Sequence, residues 1–120
     1  SIGVLARQQG DHAGMVLGTP MYLAPEAAKA HPCMKSDIWS VGIMFLQLVT
    51  GKLPFDIAPG LRANPALFVF QIGSGQLRPT IPPVETIGAV TLQFVNACLA
   101  ENVDDRSTAE ELLEMPFFTV

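Results

Sequence analysis

Few residues in this sequence combine a reactive type with a useful spacing. His31 and Cys33 lie close together, but two candidate ligands fall short of the three or four that a zinc ion takes from protein. Cys33 and Cys98 are its only cysteines. They are too few for a disulfide framework, so both are expected as buried free thiols in a reducing, cytoplasmic setting. His12 falls in a Gly-flanked polar stretch and reads as a loop residue. What remains is a carboxylate at Glu26, another at Asp37, a guanidinium at Arg106, and the hydroxyls of Thr19 and Tyr22 in a Pro-punctuated stretch. Asp37 stands where a helix should begin. Ser36 before it is a suitable N-cap, and a carboxylate in the first turn complements the positive end of the helix dipole.

The elements that must hold these residues follow from periodicity and breakers. Residues 1–20 show scattered Gly and no sustained period, and read as a loop after a short strand-like start. Thr19-Pro20 and Ala24-Pro25 disfavour helix in the residues before each proline. From Ile38 to Thr50 there is no charged residue, and Gly51 follows as a C-terminal stop. Ile38, Trp39, Val41, Ile43, Met44, Phe45, Leu46, Leu48 and Val49 cover nearly every face of that helix, with Ser40 and Gln47 among them. A helix apolar all round is a buried central helix or a membrane span. The uncharged run is shorter than the ~20 residues a span needs, so the central helix is expected.

Residues 52–64 read as a Pro/Gly-rich loop. Asn64-Pro65 opens a short helix with Pro at its first position, carrying Leu67, Phe68, Phe70 and Ile72 and ending near Gly73. Residues 74–86 read as another loop. A further helix is expected from about Gly88 to Ala100, with Val90, Phe94, Val95, Cys98 and Leu99 on one side. Thr108 and Glu111 match a capping box for a last short helix, with Leu112 and Leu113 inward and Pro116 ending it. The fold class is therefore mainly α, with four helices and long loops.

Composition narrows the partners. Hydrophobic residues make up 49% of the 120 residues and charged ones 15%, against roughly 25% charged in an average globular chain. A chain this short needs polar surface, so part of its apolar surface is expected to lie against a partner or the rest of a domain. The net charge of −4 and the lack of a Lys/Arg cluster argue against nucleic acid and anionic membrane as partners. The chain begins at Ser1 and shows no signal-peptide pattern, as expected of an internal piece of something longer.

Four strings, in this order, carry a resemblance. They are Gly18-Thr19-Pro20-Met21-Tyr22-Leu23-Ala24-Pro25-Glu26, Asp37-Ile38-Trp39-Ser40-Val41-Gly42, Thr50-Gly51-Lys52-Leu53-Pro54-Phe55, and Asp105-Arg106-Ser107-Thr108-Ala109 with Leu112-Leu113 and Pro116-Phe117. Each alone is weak. Together they resemble the end of the activation segment, the central helix, the turn after it and the last helices of the eukaryotic protein kinase family. The Gly-Thr-Pro-x-Tyr string is of the Ser/Thr type, and Asn64-Pro65-Ala66-Leu67-Phe68 with Gln71-Ile72 looks like the mitogen-activated kinase kinase kinase group. The resemblance covers essentially the whole chain.

It implies the helical portion of a kinase C-terminal lobe, a partial domain over 1–120 with activation segment 1–26 and the central and following helices at 36–118. By resemblance, Glu26 and Arg106 form a buried ion pair tying the activation segment to the loop before the last helix. Asp37 would hold the catalytic loop, although a simple first-turn carboxylate is its reading within this chain. Thr19 would orient the catalytic Asp, and Pro20, Met21, Tyr22 and Leu23 would shape the pocket for the residue after the phosphoacceptor. Trp39 and Gly42 would be a core filler and a close helix contact.

The implied reaction moves the γ-phosphoryl group of ATP, with Mg²⁺, to Ser or Thr hydroxyls of protein substrates. The Gly-rich loop, the strand Lys with its helix Glu, and the catalytic Asp with its Asn are not in this sequence. This chain by itself is expected to be inactive, its partner being the remainder of the kinase domain. Ser1-Ile2-Gly3 stands about where the metal-binding Asp-Phe-Gly would fall. Either Ser1 replaces that Asp, or the motif lies upstream, the reading favoured here. Between Gly3 and Gly18 there is no Ser, Thr or Tyr, which puts control by activation-loop phosphorylation in doubt. The alternative is a non-catalytic kinase-like module that binds partners.

Overall fold

Proline and glycine set most of the boundaries in the computed structural model, which describes residues 19–57 and 59–119. The readings of Ser1, of His12 and of the loop up to Gly18 fall outside those residues. Thr19–Tyr22 forms a 3-10 turn. Then come α1 (Pro25–Ala28), α2 (Met34–Thr50), α3 (Pro59–Arg62), α4 (Pro65–Ser74), α5 (Val84–Ile87), α6 (Ala89–Cys98), a 3-10 turn at Val103–Asp105, α7 (Ala109–Leu113) and α8 (Pro116–Thr119). There is no strand among the described residues. The mainly α fold class holds, with α2, α4 and α6 as its three longer helices.

Several local signals act as read. Gly51 adopts φ 75° and its N–H bonds the carbonyl of Gln47, closing α2. The Asn64 side chain accepts from the Leu67 N–H, and Pro65 is the first residue of α4. Thr108 and Glu111 satisfy each other's backbone N–H at 3.1 and 2.8 Å.

Others are corrected. Helix α2 begins at Met34, with Cys33 as its N-cap in extended backbone. Ser36 sits one turn inside, where its hydroxyl accepts from the Cys33 N–H at 3.0 Å. Pro25 opens α1 by taking the first helical position, where its missing N–H costs nothing. Both Pro-rich loops contain a single helical turn, α3 and α5. Helix α4 runs past Gly73 to a left-handed Gly75, φ 80°. Gly73 serves packing instead: a Cβ there would stand 3.1 Å from Lys29 Cγ and 3.4 Å from Ala28 Cβ, so its bareness lets α1 lie against α4. Val90 and Leu113 are exposed, since α6 and α7 each offer only one face to the core. Pro116 starts α8 rather than simply ending α7. Cys33 is exposed, and only Cys98 is a buried thiol.

The core lies where the three longer helices meet. Trp39, Ile43 and Leu46 of α2 pack with Phe68 and Ile72 of α4 and with Phe94, Val95 and Cys98 of α6. Each such side chain contributes about 1.5–3 kcal/mol on burial. Gly42 lets α2 and α6 approach: a Cβ there would stand 2.7 Å from Cys98 Cβ and 2.8 Å from Leu99 Cδ2. Phe117 stacks on Phe94 at 4.5 Å and meets Phe45 edge-on, bringing α8 onto the pair.

The all-round apolar pattern of α2 is only half used. Val41, Met44 and Leu48 are exposed, Leu48 by 82%. The described residues cover one side of this helix and leave an apolar face open.

Candidate functional site

The site grows from Glu26 and Arg106. Ala24 is extended and Pro25 fixes the first turn of α1, which carries Glu26 into the interior. Arg106 follows the 3-10 turn Val103–Asp105, again in extended backbone, and points back toward α1 and α2. Its Nη1 donates to Glu26 Oε2 at 2.7 Å and its Nη2 to Glu26 Oε1 at 2.9 Å, a two-pronged pair. Nη1 also donates to the Lys35 carbonyl at 2.8 Å, Nε to that of Ala100 at 2.9 Å, and Nη2 to that of Glu101 at 3.3 Å. A guanidinium has five N–H donors, and all five are matched. That is why its side chain can be fully buried while charged. The guanidinium carbon stands 5.3 Å from the centre of the Trp39 ring, adding a cation–π contact.

Glu26 has a third partner, since the Ser36 hydroxyl donates to Oε2 at 2.6 Å. Burial disfavours the carboxylate's charge. The bonds from Arg106 and Ser36 outweigh this and hold the carboxyl below its ordinary range. Burial likewise pushes the Cys98 thiol up to about 11, with nearby Arg106 opposing it weakly.

A second set of bonds holds the turn that precedes α1. Met21, Tyr22 and Leu23 are half-buried. The Ser40 hydroxyl donates to the Tyr22 carbonyl at 2.6 Å, and the Tyr22 hydroxyl donates to Gln47 Oε1 at 2.6 Å. Thr19 and Pro20 begin the same turn. Trp39 is buried at the centre, its indole N–H without a hydrogen-bond partner among the described residues. Asp37 is exposed in the first turn of α2 and makes no side-chain hydrogen bond among the described residues.

Thus Glu26, Arg106 and Trp39 converge, Met21–Leu23 lies along the same helix, and Asp37 stands apart. Sequence reasoning did not single out Ser36, Ser40 and Gln47 as site residues. The available signal was their spacing: positions i, i+4 and i+11 fall on one face of a helix. An open groove of about 760 Å³ between the end of α2 and the Pro82–Ile87 segment is lined by none of these residues.

The arrangement can position a chain segment; it does not itself supply a nucleophile or base. Among the described residues no three His, Cys, Asp or Glu side chains are grouped to hold a metal ion.

Residues 3–118 match the family described as Protein kinase domain. The chain belongs to the protein kinase family. Among curated proteins, this kinase chain is similar to Mitogen-activated protein kinase kinase kinase 17 of Arabidopsis thaliana, at 34% identity over 105 residues, covering 87% of the chain and 27% of that protein. It is also similar to MAP kinase kinase kinase mkh1 of Schizosaccharomyces pombe, at 34% identity over 105 residues, covering 83% of the chain and 9% of that protein. The chain thus spans about a quarter or less of the length of these relatives. Both relatives carry the name of a mitogen-activated kinase kinase kinase.

Proposed function

We propose that the protein carrying this chain is a Ser/Thr protein kinase, and that residues 19–26 are the end of its activation segment, where the protein substrate is received. The observation that carries this is the enclosed Arg106–Glu26 clamp, in which every guanidinium donor is matched. Such a clamp suits a segment that must keep one shape while a substrate binds and leaves. Thr19 through Leu23 would line the substrate side, and Glu26, Trp39, Gly42 and Arg106 would support them from behind. Asp37, exposed at the start of α2, is free to meet the catalytic loop. ATP and Mg²⁺ would be held by residues outside this sequence, and the acceptor would be a Ser or Thr hydroxyl of a protein. By extension from the relatives' names, that protein would be a kinase of a mitogen-activated cascade.

The test is phosphate transfer by the full-length protein, with labelled ATP and Mg²⁺, to a mitogen-activated kinase kinase and to Ser-, Thr- and Tyr-containing peptides. Transfer to Ser or Thr alone is expected. No transfer by a folded full-length protein that binds ATP would overturn the reading. The 120-residue chain alone is expected to show no ATP binding by calorimetry, and stoichiometric binding would contradict the placement of the nucleotide site.

A further inference from the structure

The groove of about 760 Å³ past the end of α2 has the size of a ligand-binding cleft, roughly 300–1,000 Å³. Leu53, Phe55, Pro83 and Ile87 give it carbon walls. Phe55 is buried and meets Phe68 edge-on, so one wall is rooted in the core. The Thr80 N–H donates to the Pro54 carbonyl at 2.7 Å and ties the opposite wall to it. Prolines at 54, 82 and 83 fix the backbone on both sides, so little order is lost when something enters. The rim is polar. Lys52 and Asp56 are exposed and opposite in charge, and Thr80 and Thr86 present hydroxyls. None of these four side chains has a hydrogen-bond or ion-pair partner among the described residues. The groove also has a telling position. Thr50 lines it and lies three residues beyond Gln47, on the same face of α2. Gln47 is where Tyr22 meets that helix. The groove therefore begins about one helical turn past the Met21–Leu23 segment.

We propose that this groove is a docking site for the protein substrate, taking an extended apolar segment that lies outside the phosphoacceptor site. The inference rests on the reading that Thr19–Leu23 receives substrate. The walls favour apolar side chains. Lys52 and Asp56 offset each other, so a segment of one strong charge gains nothing there. A threonine hydroxyl both donates and accepts, and so meets the N–H and C=O groups that an extended segment leaves unpaired. Continuity with the Met21–Leu23 segment lets one substrate occupy both places. Once its docking segment is seated, the acceptor is delivered at a high effective concentration.

The test uses the full-length protein with two substrates, the mitogen-activated kinase kinase of the transfer assay and a short Ser/Thr peptide around its acceptor. Thr86→Arg places a long side chain across the groove from an exposed position, where it disturbs no packed contact. It is expected to raise the KM for the protein substrate about fivefold or more, the scale of losing a buried interface contact. The KM values for the short peptide and for ATP are expected to stay within about twofold. Thr86→Ser, which keeps the hydroxyl and the space, is expected to behave as wild type. A protein-substrate KM unchanged in Thr86→Arg, or a short-peptide KM raised as much, would overturn the proposal. Labelling of Thr86→Cys by a maleimide, read by mass spectrometry of that peptide, is the second measurement. Rapid labelling of the full-length protein alone is expected, with protection by saturating protein substrate. Slow labelling without substrate would show that the protein's own chain fills the groove and would overturn the proposal, as would labelling that substrate does not slow. A wild type that transfers no phosphate refutes the kinase reading and this inference with it, whereas transfer without protection refutes the docking site alone.

Discussion

Arg106→Ala is the change with the largest consequence. It removes both prongs of the pair with Glu26, three bonds to the carbonyls of Lys35, Ala100 and Glu101, and the contact with Trp39. Glu26 is left with the Ser36 hydroxyl, in a place where its side chain is only 11% exposed. Breaking a buried pair from one side costs about 3–5 kcal/mol, because the abandoned charge stays buried. For a chain of this size that corresponds to a fall in Tm of roughly 12–20 °C. Natural domains carry about 5–15 kcal/mol in all, so the variant should sit near the edge of folding. Circular dichroism melting and urea titration measure the loss, and limited trypsin digestion locates it, with faster cleavage after Lys29 and Lys35. Removing both charges, as in Glu26→Met with Arg106→Met, should recover part of the loss but not all, since the three carbonyls still lack a donor. A Tm within 2 °C or so of wild type for Arg106→Ala, with an unchanged digestion pattern, would refute the reasoning.

Four further outcomes are expected. Glu26 has a lowered pKa, so its share of stability is complete above the unfolded-chain value of about 4.3 and is lost as pH falls through the lower folded value; Glu26→Gln should flatten this acid limb in urea titrations at stepped pH. A thiol reagent at neutral pH should label exposed Cys33 readily in the native protein and reach Cys98, raised to about 11 and enclosed, only on unfolding. Gly42→Ala should cost about 1–3 kcal/mol in chemical denaturation, since the new methyl meets Cys98 Cβ and Leu99 Cδ2 across the α2–α6 contact. Ala30→Gly should raise stability by up to about 1 kcal/mol, because Ala30 is held at φ 66°, where a Cβ is disfavoured.

What could be read from the sequence was local. Asn64-Pro65, Thr108 with Glu111, and Gly51 each act within a few residues, and each does in the structure what its type allows. The start of α2 was misplaced because Ser36 is a good N-cap by type, yet its hydroxyl is needed at Glu26, ten residues back. Leu112 and Leu113 are alike in sequence, and only the packing of α7 decides that one is buried and the other exposed. The short helices α3 and α5 hide in Pro-rich stretches whose composition reads as loop. The apolar pattern of α2 announced a helix made to be surrounded, but no pattern within one helix says which neighbour covers which face.

That helix explains how the two halves of the site belong together. Ser36, Ser40 and Gln47 lie at i, i+4 and i+11, which at 3.6 residues per turn is a single stripe. Along it, Ser36 bonds Glu26, Ser40 bonds the Tyr22 backbone, and Gln47 bonds the Tyr22 hydroxyl. The stripe runs antiparallel to the segment it holds: the residue nearest the start of α2 takes the later position, Glu26, and the residue nearest its end takes the earlier one, Tyr22. Arg106 then fastens the start of the stripe twice, through Glu26 and through the Lys35 carbonyl. The adjoining side of α2 is anchored by Trp39, Ile43 and Leu46 in the core, so the stripe cannot turn without unpacking them. A substitution in that core should therefore disturb Met21–Leu23 through rotation of α2, even where it touches none of the hydrogen bonds. The open face at Val41, Met44 and Leu48 is the one side on which something outside the described residues could press on the same helix.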